Sequence, residues 1–140
     1  MDISVDDWDA VRDTNLKRAF LLTQAVARRM RDCGGGAIVN VASILSVRVN
    51  NVASYAVSKA GLVQLTKALA LEWARYGIRV NALCPGYIET DLNRDFFSTD
   101  SGGALIKRIP QRRLGDRGLD APLLLLCSDA GSYMTGRNSS

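Results

Sequence analysis

Ala37-Ile38-Val39-Asn40-Val41-Ala42 is the stretch on which the reading of the chain turns. It is short, β-branched and almost wholly apolar, as a strand covered on both faces of a parallel sheet must be. Upstream, Trp8, Val11, Asn15, Ala19, Leu22 and Val26 recur at helical spacing. That run starts at a capping-box-like Ser4-Val5-Asp6-Asp7 and ends at Gly34-Gly35-Gly36. Downstream, a loop carrying Asn50-Asn51 leads into a second long helix, about Val52 to Tyr76, closed by Gly77. Ile78-Arg79-Val80-Asn81-Ala82-Leu83 then reads as a second strand, stopped by Pro85-Gly86. The remainder is looser. A polar stretch runs to Gly103, followed by a short helix through Ile109, a turn at Pro110 and a last helix near Ala121–Asp129.

Helix, strand, helix, strand, helix is the rhythm of a parallel α/β sheet with right-handed crossovers. Two strands alone leave edges unpaired and faces uncovered, so the pattern predicts part of a larger sheet. Residues 1–140 read as one partial domain.

Composition narrows the function classes. The chain has 140 residues, 47% hydrophobic and 23% charged, with a net charge of +4, which suits one globular domain. The longest apolar run, around Leu123–Cys127, is far short of the ~20 residues a membrane span needs. Nothing at the start resembles a secretory leader, and Cys33, Cys84 and Cys127 stand alone without CxxC spacing. These features predict reduced thiols and a cytoplasmic protein. The absence of histidine removes Ser-His-Asp catalysis and argues against a zinc site. Arg28, Arg29, Arg31, Arg112 and Arg113 read as solvated helix ends and turns, or as a patch for an acidic partner. Few aromatics interleave with them, so nucleic-acid binding is not expected.

Tyr55-Ala56-Val57-Ser58-Lys59 carries the chemistry. Positions i and i+4 of a helix lie ~40° apart around the axis and ~6 Å along it, so both side chains point to one place. An ammonium held beside a phenol favours the ionised phenol, making it a better proton donor and acceptor near neutrality. Ser43 follows the first strand, at the end where ligands bind in open parallel sheets. A hydroxyl there, beside the phenol, can hydrogen-bond a carbonyl oxygen as charge develops on it. Alone, Ser43 reads equally as a strand-end residue satisfying backbone groups. Asn15 interrupts an apolar helix stripe, and a buried amide must find partners; alone it reads as a structural amide. Pro85-Gly86-Tyr87-Ile88-Glu89-Thr90 follows the second strand at the same end. It is either a plain turn or one that offers backbone groups and the Thr90 hydroxyl to a ligand.

Together these residues resemble the short-chain dehydrogenase/reductase family, whose pattern is Asn, Ser, Tyr-x-x-x-Lys and a Pro-Gly turn with a downstream Thr. The likeness runs from Trp8-Asp9 and Thr14-Asn15-Leu16 through Ile78-Arg79-Val80-Asn81 to Tyr133-Met134-Thr135-Gly136. It implies a partial Rossmann-like, doubly wound parallel sheet and NAD or NADP as cofactor. In that reading Tyr55 exchanges a proton with a small carbonyl or alcohol substrate and Ser43 steadies its oxygen. Lys59 would bind the nicotinamide ribose and tune Tyr55, and Asn15 would hold a water that relays protons to Lys59. Pro85, Gly86, Ile88 and Thr90 would meet the nicotinamide. The run Tyr87-Ile88-Glu89-Thr90-Asp91 is similar to 3-oxoacyl-carrier-protein reductases and to sugar or polyol dehydrogenases alike.

The family opens with a strand, a glycine-rich phosphate-binding turn and a helix. Here the only glycine cluster, Gly34-Gly35-Gly36, precedes a strand, whereas a pyrophosphate cradle must follow one and open a helix. Only the nicotinamide end is therefore expected to be served, and the isolated chain is expected to be inactive. Arg137-Asn138-Ser139-Ser140 reads as lacking the strand with which the family closes. Two functions stand: a dehydrogenase/reductase by lineage, or a non-catalytic chain acting through association. The two long helices correspond to those that form the family's subunit interface, so a homo-oligomer is expected.

Overall fold

The computed structural model describes residues 3–46 and 53–139. Ser4 caps the first helix, α1 (Val5–Arg12): its hydroxyl accepts from the Asp7 amide at 3.0 Å and donates to the Asp7 carboxylate at 2.7 Å. The helix that the sequence predicts as one run is then widened by a π-turn, Asp13–Lys17, before α2 (Arg18–Asp32) continues it. Asn15 sits in that turn. Such insertions persist only where surrounding contacts repay them, and here the surroundings are specific. Asn15 is hydrogen-bonded across to the next long helix, and Leu16 packs so close to Gly61 that a β-carbon there would stand 2.9 Å from it.

β1 (Gly36–Val41) and β2 (Ile78–Leu83) pair in parallel register, Gly36 opposite Ile78 and Val41 opposite Leu83. Between them lies α3 (Ala53–Trp73), extended by a 3-10 turn to Tyr76. Gly77 ends it in the left-handed region at φ 71°, where a side chain would be strained. Its carbonyl accepts from the Gly36 amide, so the two strands start from one crossing. Gly35 is required there for the same reason: at φ 120°, a β-carbon would stand 2.5 Å from the Gly77 oxygen. The expected Asn50-Asn51 loop and the Val52 helix start lie outside the described residues.

Strand side chains alternate between faces. Ile78 and Val80 pack with Ala27, Leu69 and Ala70 of α2 and α3, joined by Ile38 and Trp73. Asn40, on the same face of β1, is buried and donates to Thr66 of α3 at 2.9 Å. The intervening residues face the other way, toward α6 (Asp120–Cys127), which packs on both strands. Arg79 donates to the Leu126 and Ser128 carbonyls at 2.8 and 3.1 Å, capping the end of α6. Helices thus lie on both faces of the sheet, as a doubly wound architecture requires.

Three expectations need correction. The sheet has three strands, in the order β1-β2-β3: β3 (Asn138–Ser139) pairs in parallel with Ala82 and Leu83, although Arg137–Ser140 read as offering no strand. Asn81 explains the difference. It is fully buried, donates to Met134 O at 2.8 Å and accepts from the Arg137 amide at 3.1 Å, so a side chain draws in a segment with no β pattern of its own. The first helix carries the π-turn noted above. The stretch to Gly103 holds a further helix, α4 (Arg94–Phe97), and the expected short helix through Ile109, α5 (Asp100–Arg108), starts earlier, inside that stretch, capped by the Thr99 hydroxyl accepting from Gly102. Among the described residues no helix is long and apolar enough to cross a membrane.

Candidate functional site

The site gathers at the C-terminal ends of β1 and β2. Beyond the strands the ladder continues: the Ala42 amide donates to Leu83 O at 2.7 Å and the Ile44 amide to Pro85 O at 2.9 Å. Ser43 lies between these two bonds, so the loop that carries it is tied directly to the Pro85-Gly86 turn. Ser43 is buried, and its hydroxyl accepts from the Leu45 amide at 3.2 Å.

Lys59 reaches the same end from α3. Its ammonium donates to Val41 O, on the last residue of β1, at 2.8 Å, and stands 5.7 Å from the centroid of the Tyr55 ring. The two side chains therefore converge one helical turn apart, as their i, i+4 spacing requires. Burial disfavours the charged ammonium and lowers the Lys59 pKa below its ordinary value.

Asn15 joins by an indirect route. Its amide donates to the Ser58 hydroxyl at 3.1 Å, and that hydroxyl donates to Tyr55 O at 2.7 Å. Ser58 is only 1% exposed, and the sequence reading passed it over. Its position was a usable signal: a hydroxyl on the buried stripe of the helix carrying Tyr55 and Lys59 needs a partner.

After the Pro85-Gly86 turn, Gly115 folds back to donate to Tyr87 O at 2.8 Å and forms a parallel bridge with Ile88. Asn93 closes the next turn, accepting from the Thr90 amide at 2.8 Å and donating to Ile88 O at 2.9 Å. The Thr90 side chain is left exposed. A cavity of ≈ 400 Å³ opens beside this loop, with Ile44, Gly86, Tyr87, Ile88, Arg113 and Leu119 in its wall. Ile44 follows Ser43 directly, so the cavity adjoins the serine. Ser43, Tyr55, Lys59 and the Pro85–Thr90 loop are thus brought to one end of the sheet, and Asn15 is linked to them through Ser58.

The donor set suits the nicotinamide end of a dinucleotide. An ammonium has three N–H donors to offer hydroxyls, and space is open around Gly86, with nothing within 4 Å of a β-carbon placed there. Among the described residues no group of three or more Cys, Asp or Glu is placed to hold a metal ion.

An architecture of this kind, with Tyr-x-x-x-Lys at the strand ends, defines a class of Rossmann-like oxidoreductases. The family model described as Enoyl-(Acyl carrier protein) reductase matches residues 1–140, and the chain belongs to this short-chain dehydrogenase/reductase family. It is 41% identical over 139 residues to the NAD-dependent glycerol dehydrogenase of Listeria innocua, covering 98% of this chain and 55% of that protein. It is 38% identical over 133 residues to the 3-oxoacyl-(acyl-carrier-protein) reductase of Salmonella typhimurium, covering 94% and 54%. The crystal structure of a gluconate 5-dehydrogenase from Burkholderia cenocepacia in complex with NADP and tartrate superposes with a TM-score of 0.92 at 38% identity, covering 97% of this chain and 55% of that one. The chain spans about half the length of the curated relatives it matches.

Proposed function

We propose that the chain serves NAD(P)-dependent reduction of a small carbonyl compound, or oxidation of the corresponding alcohol, with Tyr55 as proton donor and acceptor. The observation that carries this reading is the Lys59 ammonium held 5.7 Å from the Tyr55 ring at the strand end next to Ser43. A bound nicotinamide would supply or accept the hydride. The chain's own residues do the rest. Ser43 holds the substrate oxygen, Tyr55 passes a proton to it, and Lys59 binds the ribose hydroxyls while its charge favours the phenolate. Asn15 positions a water that connects Lys59 to solvent. Pro85, Gly86, Ile88 and Thr90 orient the nicotinamide ring. Free Cys33, Cys84 and Cys127 support a reducing compartment such as the cytoplasm.

Positioning of the ring is worth roughly 7–11 kcal/mol of barrier, and most of the grip on a dinucleotide comes from its phosphates and adenosine. Gly34-Gly35-Gly36 leads into a strand and offers no phosphate turn. The 140-residue chain alone is therefore expected to turn over negligibly. Fusing or adding the segment that relatives carry beyond the matched region should restore NADH- or NADPH-dependent reduction. If no such complemented form reduces a carbonyl substrate, the reading is wrong.

A second reading rests on the surface of α2 and α3. Leu71, 82% exposed, lines a groove of ≈ 790 Å³ between the helices together with Phe20, Leu65 and Trp73, and Leu22, elsewhere on α2, is 67% exposed. This face supports homo-oligomerisation through the two long helices, with or without catalysis.

A further inference from the structure

The cavity beside Ser43 has a second wall. The role proposed for Gly86 and Ile88 uses one side of it, and residues 109–119 supply most of the rest. That wall is apolar at Ile109, Leu114 and Leu119 and cationic at its rim, where Gln111 and Arg113 line the cavity and Arg112 stands between them.

Arg112 is held in an unusual backbone. Its amide donates to Ile109 O at 2.8 Å, closing a turn with Pro110 at the first corner. The turn leaves Arg112 at φ 52°, among the described residues the one non-glycine in the left-handed region. A glycine takes that conformation without strain, and an arginine does not. Strain of this kind persists where a function retains it.

The charge is also unspent. Arg112 and Arg113 are both exposed, and neither forms an ion pair. Arg113 donates only to Leu114 O, at 3.2 Å. The neighbouring carboxylates are engaged elsewhere. Glu89 and Asp91 hold Arg94 at 3.0 and 2.8 Å, and Asp116, in the wall, accepts from the Gly118 amide at 3.2 Å. Lys107 and Arg108 have an ordinary explanation, because the last turn of a helix favours cations. Arg112 lies beyond that turn.

We propose that the cavity takes a ketone, or the matching alcohol, that ends in an anionic group, a carboxylate or a phosphate. The carbonyl lies at Ser43, a short saturated chain runs along Ile44, Ile109, Leu114 and Leu119, and Arg112 and Arg113 hold the anion. The class follows from what each part of the wall can satisfy. A polyhydroxylated chain would leave hydroxyls unpaired against apolar side chains. A hydrocarbon chain gains burial there. Guanidinium groups match a carboxylate or phosphate with two parallel N–H donors. The volume of ≈ 400 Å³ suits a small molecule. The position of the carbonyl rests on the dehydrogenase reading; the anion site does not.

The test is a titration of the full chain with 6-oxoheptanoate, with its uncharged counterpart 2-heptanone, and with 5-oxohexyl phosphate, read by amide NMR shifts at Ile44, Gly115 and Leu119. Both anions should shift these residues and bind about tenfold more tightly than 2-heptanone, with the advantage shrinking as salt is added. The tighter of the two anions tells a free oxo acid from a phosphate-bearing substrate. Arg112→Gly should remove most of the advantage and raise the urea midpoint, because it gives up the charge and relieves the backbone. An arginine that merely held the fold would lower the midpoint, which overturns the argument from strain. Equal affinity for the anions and 2-heptanone, or an advantage that survives Arg112→Gly combined with Arg113→Gln, overturns the site. The complemented enzyme should reduce the better-bound anion with a higher kcat/KM than 2-heptanone. If the anions bind as stated and no ketone is reduced, the dehydrogenase reading fails and the anion site stands.

Discussion

Lys59 and Tyr55 are where single residues decide most. In the complemented enzyme, Tyr55→Phe should lower kcat roughly 10²–10⁴-fold, the usual worth of a positioned acid–base group. Circular dichroism should stay unchanged, because the ring is only partly buried and the change removes one oxygen. Lys59 also gives the chain a pH signature. Burial lowers its pKa in the folded state, so the unfolded chain holds that proton more firmly. Stability should therefore rise as pH climbs from the lowered folded value toward the ordinary 10.5, and be lost again as pH falls back through that window. Lys59→Met should remove this increment. Urea midpoints of both proteins, compared across the alkaline range, would show whether the slopes differ. The spacing of Tyr55 and Lys59 was open to reading because helix periodicity alone fixes their relation. The partner of Ser58 was not, since its place on the buried stripe says that it needs one but not that an asparagine 43 residues earlier will meet it.

Between elements, buried polar ties set the geometry. The Thr66 hydroxyl accepts from Asn40 and donates to Leu62 O, all inside the face between β1 and α3. Thr66→Val leaves the Asn40 amide without that acceptor and should cost about 1–3 kcal/mol, measurable as a lower urea midpoint at unchanged slope. At the strand crossing, Gly35→Ala forces a β-carbon against the Gly77 oxygen at a left-handed φ, and should cost about 1–3 kcal/mol in the same assay. The two long helices and the strands β1 and β2 were legible from periodicity and β-branching. β3 and the π-turn were not, because long-range bonds to Asn81 and Ser58 make them, against the local pattern. Likewise the first turn of α5 hides behind glycines, Gly102 and Gly103, that sequence reading treats as breakers. One of them, Gly102, is buried and receives the Thr99 cap.

At the level of the whole molecule, this chain covers about half of the length of its relatives. Titration with NADH or NADPH, followed by nicotinamide fluorescence, should show weak binding by the chain alone and clear tightening when the complementary segment is added. Tight binding by the chain alone would mean that the nicotinamide-end contacts suffice, against the energetic argument above. Arg112 and Arg113 aside, the +4 charge and the scattered arginines play no part in this scheme. Arg79, the most engaged of them, is spent inside the fold on the carbonyls that end α6.

That arginine and its neighbour Asn81 set an order of events during synthesis. Both lie on the central strand, and their partners are Leu126, Ser128, Met134 and Arg137, residues translated some fifty positions later. Until those carbonyls and amides leave the ribosome, β2 holds a guanidinium and a buried amide with nothing to bond. Burying them unpaired would cost more than the strand gains. The nascent chain can form its first two helices early, but it cannot close its sheet until Met134 and Arg137 have emerged. Ribosome-bound chains with Leu126–Arg137 still inside the exit tunnel should stay protease-sensitive around β2, and those whose Arg137 has cleared it should not.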